Sequence, residues 1–400
     1  MRVAPRVDEA AGENRYVVSP HVCIISEATG PYGAIGRVAH AEAEALLGAA
    51  WRVSVVAHEL APSLVGRVTW RKLFVPPVGF AGKWLTGRRW ITRALGDPSQ
   101  YDLIHGHQPQ IADLCHTYRC HFLTRVAHER SCLVNGRGLR GVVDRAQKSL
   151  VLRAEDRFYR NWNPSTWALF NSSLTRDHFV RLYGKPRHGD VMLYPAPPVH
   201  EVTDVERSAA RRKLLGEDRP GIIAGYLGGM HERKGYRRVL DGLRAERDIF
   251  LLAAGWNSER LDLSRLAGGG KSLGVISDTS EFYAAIDVLL LPSVFEPFGY
   301  VAMEAAARSV PTIATPEVGA TPHLVESGAG VSWTSFAHPL ELGQLVRRAA
   351  KDEAMRSAAL AWATQRSAEV HAREFIATLT RRLESLGVTR HATERSAVSA

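Results

Sequence analysis

Two glutamates, Glu296 and Glu304, flank the stretch Pro-Phe-Gly and the start of a small-residue segment. Upstream lies DVLLLP, Asp287 to Pro292, an apolar run with no helical period. It reads as a buried parallel strand. Ala302 to Arg308 is built from good helix formers and reads as a helix carrying Glu304. PTIAT follows and reads as a second strand. In open parallel sheets, ligands bind at the carboxyl ends of the strands. Glu296, in the turn, and Glu304, on the helix, are therefore candidate ligand-binding carboxylates.

A second candidate is Gly228-Gly229-Met230-His231-Glu232-Arg233-Lys234-Gly235, between an expected strand and an expected helix. Free N–H groups at such a turn attract phosphate, and Lys234 adds a point charge. A nucleotide diphosphate would suit it; ordinary surface charges beside a turn glycine are the plainer reading. Gly30-Pro-Tyr-Gly33-Ala-Ile-Gly36 is the matching turn in the first half. Its glycines allow close approach of backbone to ligand, and its spacing is not the dinucleotide fingerprint. No ATPase-type phosphate loop occurs. His105 and His107 end the strand-like YDLIHGH, where a histidine either orients a ligand hydroxyl or sits satisfied in a loop. Cys115-His116 and Cys120-His121 stand in an apolar, helix-like context without any Cys-x-x-Cys, so buried structural thiols are expected there rather than zinc. No Asp-x-Asp pair is present, which disfavours a metal-dependent transferase of that type.

The elements that must position these residues follow one scheme twice. HVCIIS, WRVSVVAHE, YDLIHGH, STWALFNSS and DVMLYPAPP read as strands of the first half, with a long helix over Gly141 to Tyr159. GIIAGYLGG, IFLLAAG, KSLGVIS and DVLLLP do the same in the second half. The expected fold is α/β, with two doubly wound Rossmann-like domains facing a cleft. The expected division is an N-terminal extension over 1–19, a first domain over 20–198, a second over 199–370, and a closing helix with a flexible tail over 371–400. Pro195-Ala-Pro-Pro198 and the polar EVTDVERSAARR read as the crossover.

The 400 residues are enough for two or three domains. The N-terminus lacks an apolar signal region, and no apolar run approaches the ~20 residues of a membrane span. The four cysteines, Cys23, Cys115, Cys120 and Cys132, are too few for a disulfide scaffold, so a cytoplasmic chain with reduced thiols is expected. Residues 1–200 hold 26 Lys and Arg against 16 Asp and Glu, which accounts for the whole net charge of +10. A basic first half favours anionic partners or reflects solvated arginine faces. Thr69 to Leu95 mixes Trp70, Phe74, Trp84 and Trp90 with six Arg and Lys, a composition that suits a membrane interface.

Taken together, these motifs resemble the retaining GT-B glycosyltransferases of the E-x7-E group, which includes glycogen synthases, phosphatidylinositol mannosyltransferases and lipopolysaccharide-core glucosyltransferases. Glu296-Pro-Phe-Gly299 with Glu304 resembles the E-x7-E motif itself. Lys234-Gly235 resembles the end of the phosphate-binding turn, YDLIHGH the D-x-x-H-x-H strand end, and Gly30–Gly36 the N-terminal glycine loop. The likeness runs over most of residues 20–345, in the family's order. It implies transfer of a sugar, with retention, from a nucleotide-diphosphate sugar to a glycan, a lipid-linked glycan or a small molecule. It implies no cofactor, no metal and no nucleic-acid partner. A peripheral place on an anionic membrane would fit the basic first half.

The resemblance also implies site roles. Glu304 would accept the ribose hydroxyls, because each carboxylate oxygen can take one O–H. Glu296 would face the sugar, His107 would contact it, and Lys234 would neutralise the departing diphosphate. Backbone at Phe298 and Gly299, the glycines Gly33, Gly36 and Gly229, and Arg233 would complete the donor site. Two positions depart from the family. Gly229 stands where relatives carry Arg, and Gly319-Ala-Thr-Pro-His323 stands for G-G-x-x-E. These departures support one alternative, a donor-incompetent partner subunit; a nucleotide-sugar epimerase on the same fold is another.

Overall fold

The structure is a computed structural model that describes residues 19–30, 33–75, 77, 80–132, 141–218, 221–334 and 341–388. The expected tail from 389, most of the N-terminal extension, and Pro31 and Tyr32 of the first glycine turn lie outside the described residues.

Two all-parallel sheets form the frame. In the first, β1 (His21–Ile25), β2 (Arg52–Ala57), β3 (Thr69–Lys72), β4 (Leu103–Gly106), β5 (Thr117–Cys120), β6 (Trp167–Phe170) and β7 (Gly189–Val191) take the order β3-β2-β1-β4-β5-β6-β7. In the second, β8 (Ile222–Leu227), β9 (Ile249–Ala254), β10 (Gly270–Ser272), β11 (Val288–Leu291), β12 (Thr312–Ala314) and β13 (Gly330–Ser332) take the order β10-β9-β8-β11-β12-β13. Each order reverses once, between β1 and β4 and between β8 and β11, which makes those two gaps the natural ligand crevices. Register is direct: Val22 to Ile25 pair with Val53 to Val56 and with Leu103 to Gly106.

Helices cover both faces of each sheet, so central strands are buried along their length. Val22, Cys23, Ile24 and Ile25 are all fully buried, as are Val288 and Leu289. Helix Asp204–Leu215 opens the second domain on a capping box, in which Thr203 and Glu206 satisfy each other's backbone N–H groups. The polar crossover segment therefore contains a helix that composition alone did not suggest. The last helix, Ala368–Ser385, returns to the first domain and places Phe375, Leu379 and Leu383 in the cluster that holds Val22, Ile24 and Leu46.

One expectation is corrected. The Cys115–His121 segment is not helical. It carries β5, whose Thr117, Tyr118, Arg119 and Cys120 are all buried in the middle of the first sheet. Residues Thr69–Lys72 of the aromatic and basic stretch form the edge strand β3, followed by helix Phe80–Leu95.

Candidate functional site

The loops after β8 and β11 lie side by side at the reversal point of the second sheet. Gly235 ends the first loop in left-handed backbone, and a Cβ there would run into the Pro292 carbonyl. The Val294 N–H donates to the Arg233 carbonyl at 2.9 Å, so the two loops are stitched together. Side chains complete the junction. Lys234 Nζ donates to Glu296 Oε2. Arg233 Nη1 donates to the Phe295 carbonyl at 2.7 Å and lies 3.7 Å from Glu296. Lys234 and Glu296 are each about one-fifth exposed. A part-exposed ion pair of this kind can exchange its partner for an incoming ion.

The loop carrying Glu296 is held from three sides. Glu296 N–H donates to the Glu317 carbonyl, and Gly319 N–H returns to the Glu296 carbonyl, both at 2.9 Å. Ala320 N–H donates to the Phe298 carbonyl at 2.7 Å. Ser172 and Thr175 of the first domain donate to the Pro297 carbonyl at 2.5 and 3.1 Å. A side chain at Gly319 would strike that same carbonyl. Gly319 is thus needed for close packing, while Ala320 serves through its backbone. Phe298 is buried, with its ring edge-on to Tyr194 at 4.9 Å. Gly299 has φ of 92°, and a Cβ there would crowd Val318 and Leu291.

Glu304 lies on helix Tyr300–Ala306 and is nearly buried. Its Oε2 accepts from Tyr283 at 2.7 Å. Burial, followed by the Glu304 charge, holds the Tyr283 phenol well above its usual range, so it donates. Glu304 Oε1 accepts from Arg37 of the first domain at 2.6 Å. The first glycine turn therefore reaches this site through Arg37. Gly33 has φ of 78° and starts the helix Ala34–Gly48, and Gly36 packs against the backbone of Gly30. Gly229 lies in the β8 loop beside the His231 ring. His231 in turn stacks on Trp256 from the β9 loop at 5.2 Å. His323 is half-buried, and burial, followed by Arg366, lowers its pKa.

His107 is placed differently from the expectation. Its side chain is wholly buried, with Nδ1 2.8 Å from His121 and Nε2 3.0 Å from Glu42. Glu42 also meets His105 at 3.1 Å and pairs with Arg119. His121 bonds to the Tyr194 hydroxyl, which accepts from Asn171 at 3.0 Å. Burial strongly opposes charge on Glu42, yet Arg119 and then His105 and His107 hold its carboxyl well below the usual range. Burial pushes His105 down to about 4 against the pull of Glu42. His107 therefore does not face open cleft. It props His121 and Tyr194, and the Tyr194 ring packs on Phe298. The ligating atoms of Glu42, His105 and His107 lie within 4.8 Å of one another, but the Arg119 guanidinium already neutralises the carboxylate.

Arg37, Tyr283, Ser172 and Thr175 escaped the sequence reading because each acts across a long stretch of chain. The one local signal was Asn171-Ser172-Ser173 at the end of an expected strand.

Known proteins match this frame. Residues 221–352, the body of the second domain, match the family described as glycosyl transferases group 1. Among curated relatives, the lipopolysaccharide core biosynthesis glycosyltransferase LpsE of Rhizobium meliloti is 31% identical over 26% of this chain and 31% of its own length. The D-inositol 3-phosphate glycosyltransferase of Mycobacterium sp. (strain KMS) is 24% identical over 59% of this chain and 56% of its own. The chain thus spans from a third to just over half of these relatives. Solved structures cover nearly all of it. The glycosyltransferase WaaG aligns with a TM-score of 0.65 at 18% identity, covering 91% of this chain and 98% of its own. HepE of Anabaena, in complex with UDP and glucose, aligns at 0.66 and 17%, covering 90% and 100%. The segment that matches this family therefore sits in a two-domain GT-B fold, as expected from the motifs.

Proposed function

We propose that this chain is a retaining glycosyltransferase that moves a sugar from a nucleotide-diphosphate sugar to a hydroxyl acceptor without a metal ion. The observation that carries the reading is the pairing of Lys234 with Glu296 at the carboxyl ends of β8 and β11, beside the nearly buried Glu304. In the proposed step the bond between the anomeric carbon and the diphosphate oxygen breaks. The acceptor oxygen bonds to that carbon, and its proton leaves on the released nucleoside diphosphate. Lys234, freed from Glu296, neutralises the charge growing on the leaving group. Glu296 then faces the sugar hydroxyls, Glu304 holds the ribose diol, and backbone at Phe298 and Gly299 completes the cradle. Catalysis consists of positioning and leaving-group stabilisation. His107 is assigned a positioning role, through His121 and Tyr194.

The activities of these relatives support this reading, as do the UDP and glucose bound to HepE. In the first domain, a groove of about 540 Å³ is lined by Leu85, Leu150, Phe158, Arg153 and Arg157, and by Arg88, which is paired with Asp113 in the same groove. Apolar and guanidinium groups together favour an anionic, lipid-linked acceptor or contact with an anionic membrane. Among the described residues, no helix is long and apolar enough to cross a membrane.

The test is product analysis. Purified protein is incubated with labelled UDP-, GDP- and ADP-sugars and a lipid and glycan extract, and products are separated and their anomeric signals read by NMR. Transfer from one donor with its anomeric configuration kept is expected, unchanged by a chelator. An epimerised nucleotide sugar with no transfer, or no consumption of any donor, would overturn the reading.

A further inference from the structure

The carboxylate assigned to the ribose is held by a residue that no motif singled out. Arg37 lies in the first turn of helix Ala34–Gly48, directly after the glycine loop of the first domain. Its Nη1 donates to Glu304 Oε1 at 2.6 Å. Its guanidinium carbon sits 4.2 Å from the centre of the Tyr300 ring. Its Nε is buried and has no hydrogen-bond partner among the described residues. The Arg37 side chain is about one-third exposed, whereas that of Glu304 is about one-tenth exposed. Glu304 thus takes one neutral donor from its own domain, Tyr283, and one cation from the facing domain.

This inference rests on the proposed function. A ribose diol on Glu304 competes with Arg37 for Oε1. A guanidinium lifted off its carboxylate inside a cleft must regain an anion, because an unpaired charge there is costly. The nucleotide brings one. Its diphosphate is joined to the same ribose through the 5′ carbon, within the swing of an arginine side chain. The planar guanidinium fork suits phosphate oxygens, and the unpartnered Nε offers a donor beside the Nη groups. The cations of the phosphate turn are Arg233 and Lys234, and Gly229 adds none. Arg233 is already committed to the Phe295 carbonyl and Glu296.

We propose that Arg37 is a donor-binding residue contributed by the first domain. The ribose takes over Glu304, and Arg37 exchanges that carboxylate for the diphosphate. Donor binding then requires both domains, and the two are linked through one side chain.

The experiment compares a nucleoside diphosphate with its own nucleoside. UDP, GDP and ADP are titrated into wild type and Arg37→Met, which keeps the apolar stem over Tyr300. Uridine, guanosine and adenosine are followed on the same proteins by saturation-transfer NMR. For the base that binds, Arg37→Met weakens the diphosphate by about tenfold or more, the size of one lost charge-assisted contact. The nucleoside keeps its affinity or gains, because its competitor for Glu304 is gone. Arg37→Lys, which keeps the charge without the fork, recovers part of the diphosphate loss. Equal weakening of both ligands would make Arg37 a scaffold residue and overturn the proposal. Unchanged or tighter binding of both would make it a mere clasp on Glu304 and also overturn it. Either result leaves the transferase reading standing, whereas no binding of any nucleotide to wild type removes both.

Discussion

Each domain sets a carboxylate beside basic side chains of its parallel strands and their loops, and the two sites have opposite characters. In the first domain, Glu42 is fully buried with Arg119 and the imidazoles of His105 and His107 around it. In the second, Glu296 is part-exposed with Lys234 and Arg233. The buried cluster closes on itself: Glu42 and Arg119 are paired with both side chains wholly buried, and burial pushes the His105 pKa down to about 4. The open pair lies at the crevice between β8 and β11, where the proposed donor phosphate would take the place of Glu296 on Lys234. Similar residue types therefore give a prop in one place and the proposed binding site in the other, and the two differ in solvent access.

The comparison is broken most severely at Glu42. Glu42→Ala strands Arg119 in the core, and removing one partner of a buried pair costs about 3–5 kcal/mol. Urea denaturation should show this loss. A change under about 1 kcal/mol would mean that the cluster behaves like a surface pair.

Lys234→Ala should act on turnover instead. Loss of one stabilising group at a leaving oxyanion corresponds to about 100- to 1000-fold in kcat. Stability should move by less than about 1 kcal/mol, since the pair with Glu296 is part-exposed. Steady-state kinetics and denaturation on one preparation check both halves.

Gly319→Ala joins the two effects. Its Cβ would strike the Pro297 carbonyl, which is also the acceptor for Ser172 and Thr175. A cost of about 1–3 kcal/mol is expected from the overpacking. Weaker donor binding should accompany it, because the loop carrying Glu296 must shift. Preserved binding and stability would show that the domain contact at Pro297 is dispensable.

The gentlest probe is pH. His105 titrates at about 4 in the fold, and His121 is likewise lowered by burial, then by His107 and Arg119. The unfolded chain protonates these rings first, from about 6.5. The stability they contribute is full above that value and is lost as pH falls towards 4. The slope should be roughly 1.4 kcal/mol per pH unit for each proton taken up on unfolding. His105→Asn should flatten part of that slope in unfolding curves at stepped pH. An unchanged slope would place the acid sensitivity elsewhere.

Much of this frame could be read from the chain. Apolar runs such as HVCIIS and DVLLLP have no helical period, and both form parallel strands at β1 and β11. The β8 and β11 loops stood out because glycine and proline punctuate them beside charged residues. β5 was hidden because burial on both faces removes strand alternation, and Arg119 within it looks like a surface residue until Glu42 is seen opposite. Short β3 was masked by the basic and aromatic residues around it. Arg37 was invisible for a different reason. It is an ordinary helix former, and its significance comes from Glu304, 267 residues away.

The most direct test of the account is a thermal-shift titration of the whole chain with UDP, GDP, ADP and dTDP and their sugars, beside Glu304→Ala. A ligand that binds only the folded chain raises the midpoint by mass action. The account predicts that one base family raises the wild-type midpoint and that Glu304→Ala abolishes the shift while folding normally. No shift with any nucleotide, or a shift that survives in Glu304→Ala, would contradict it.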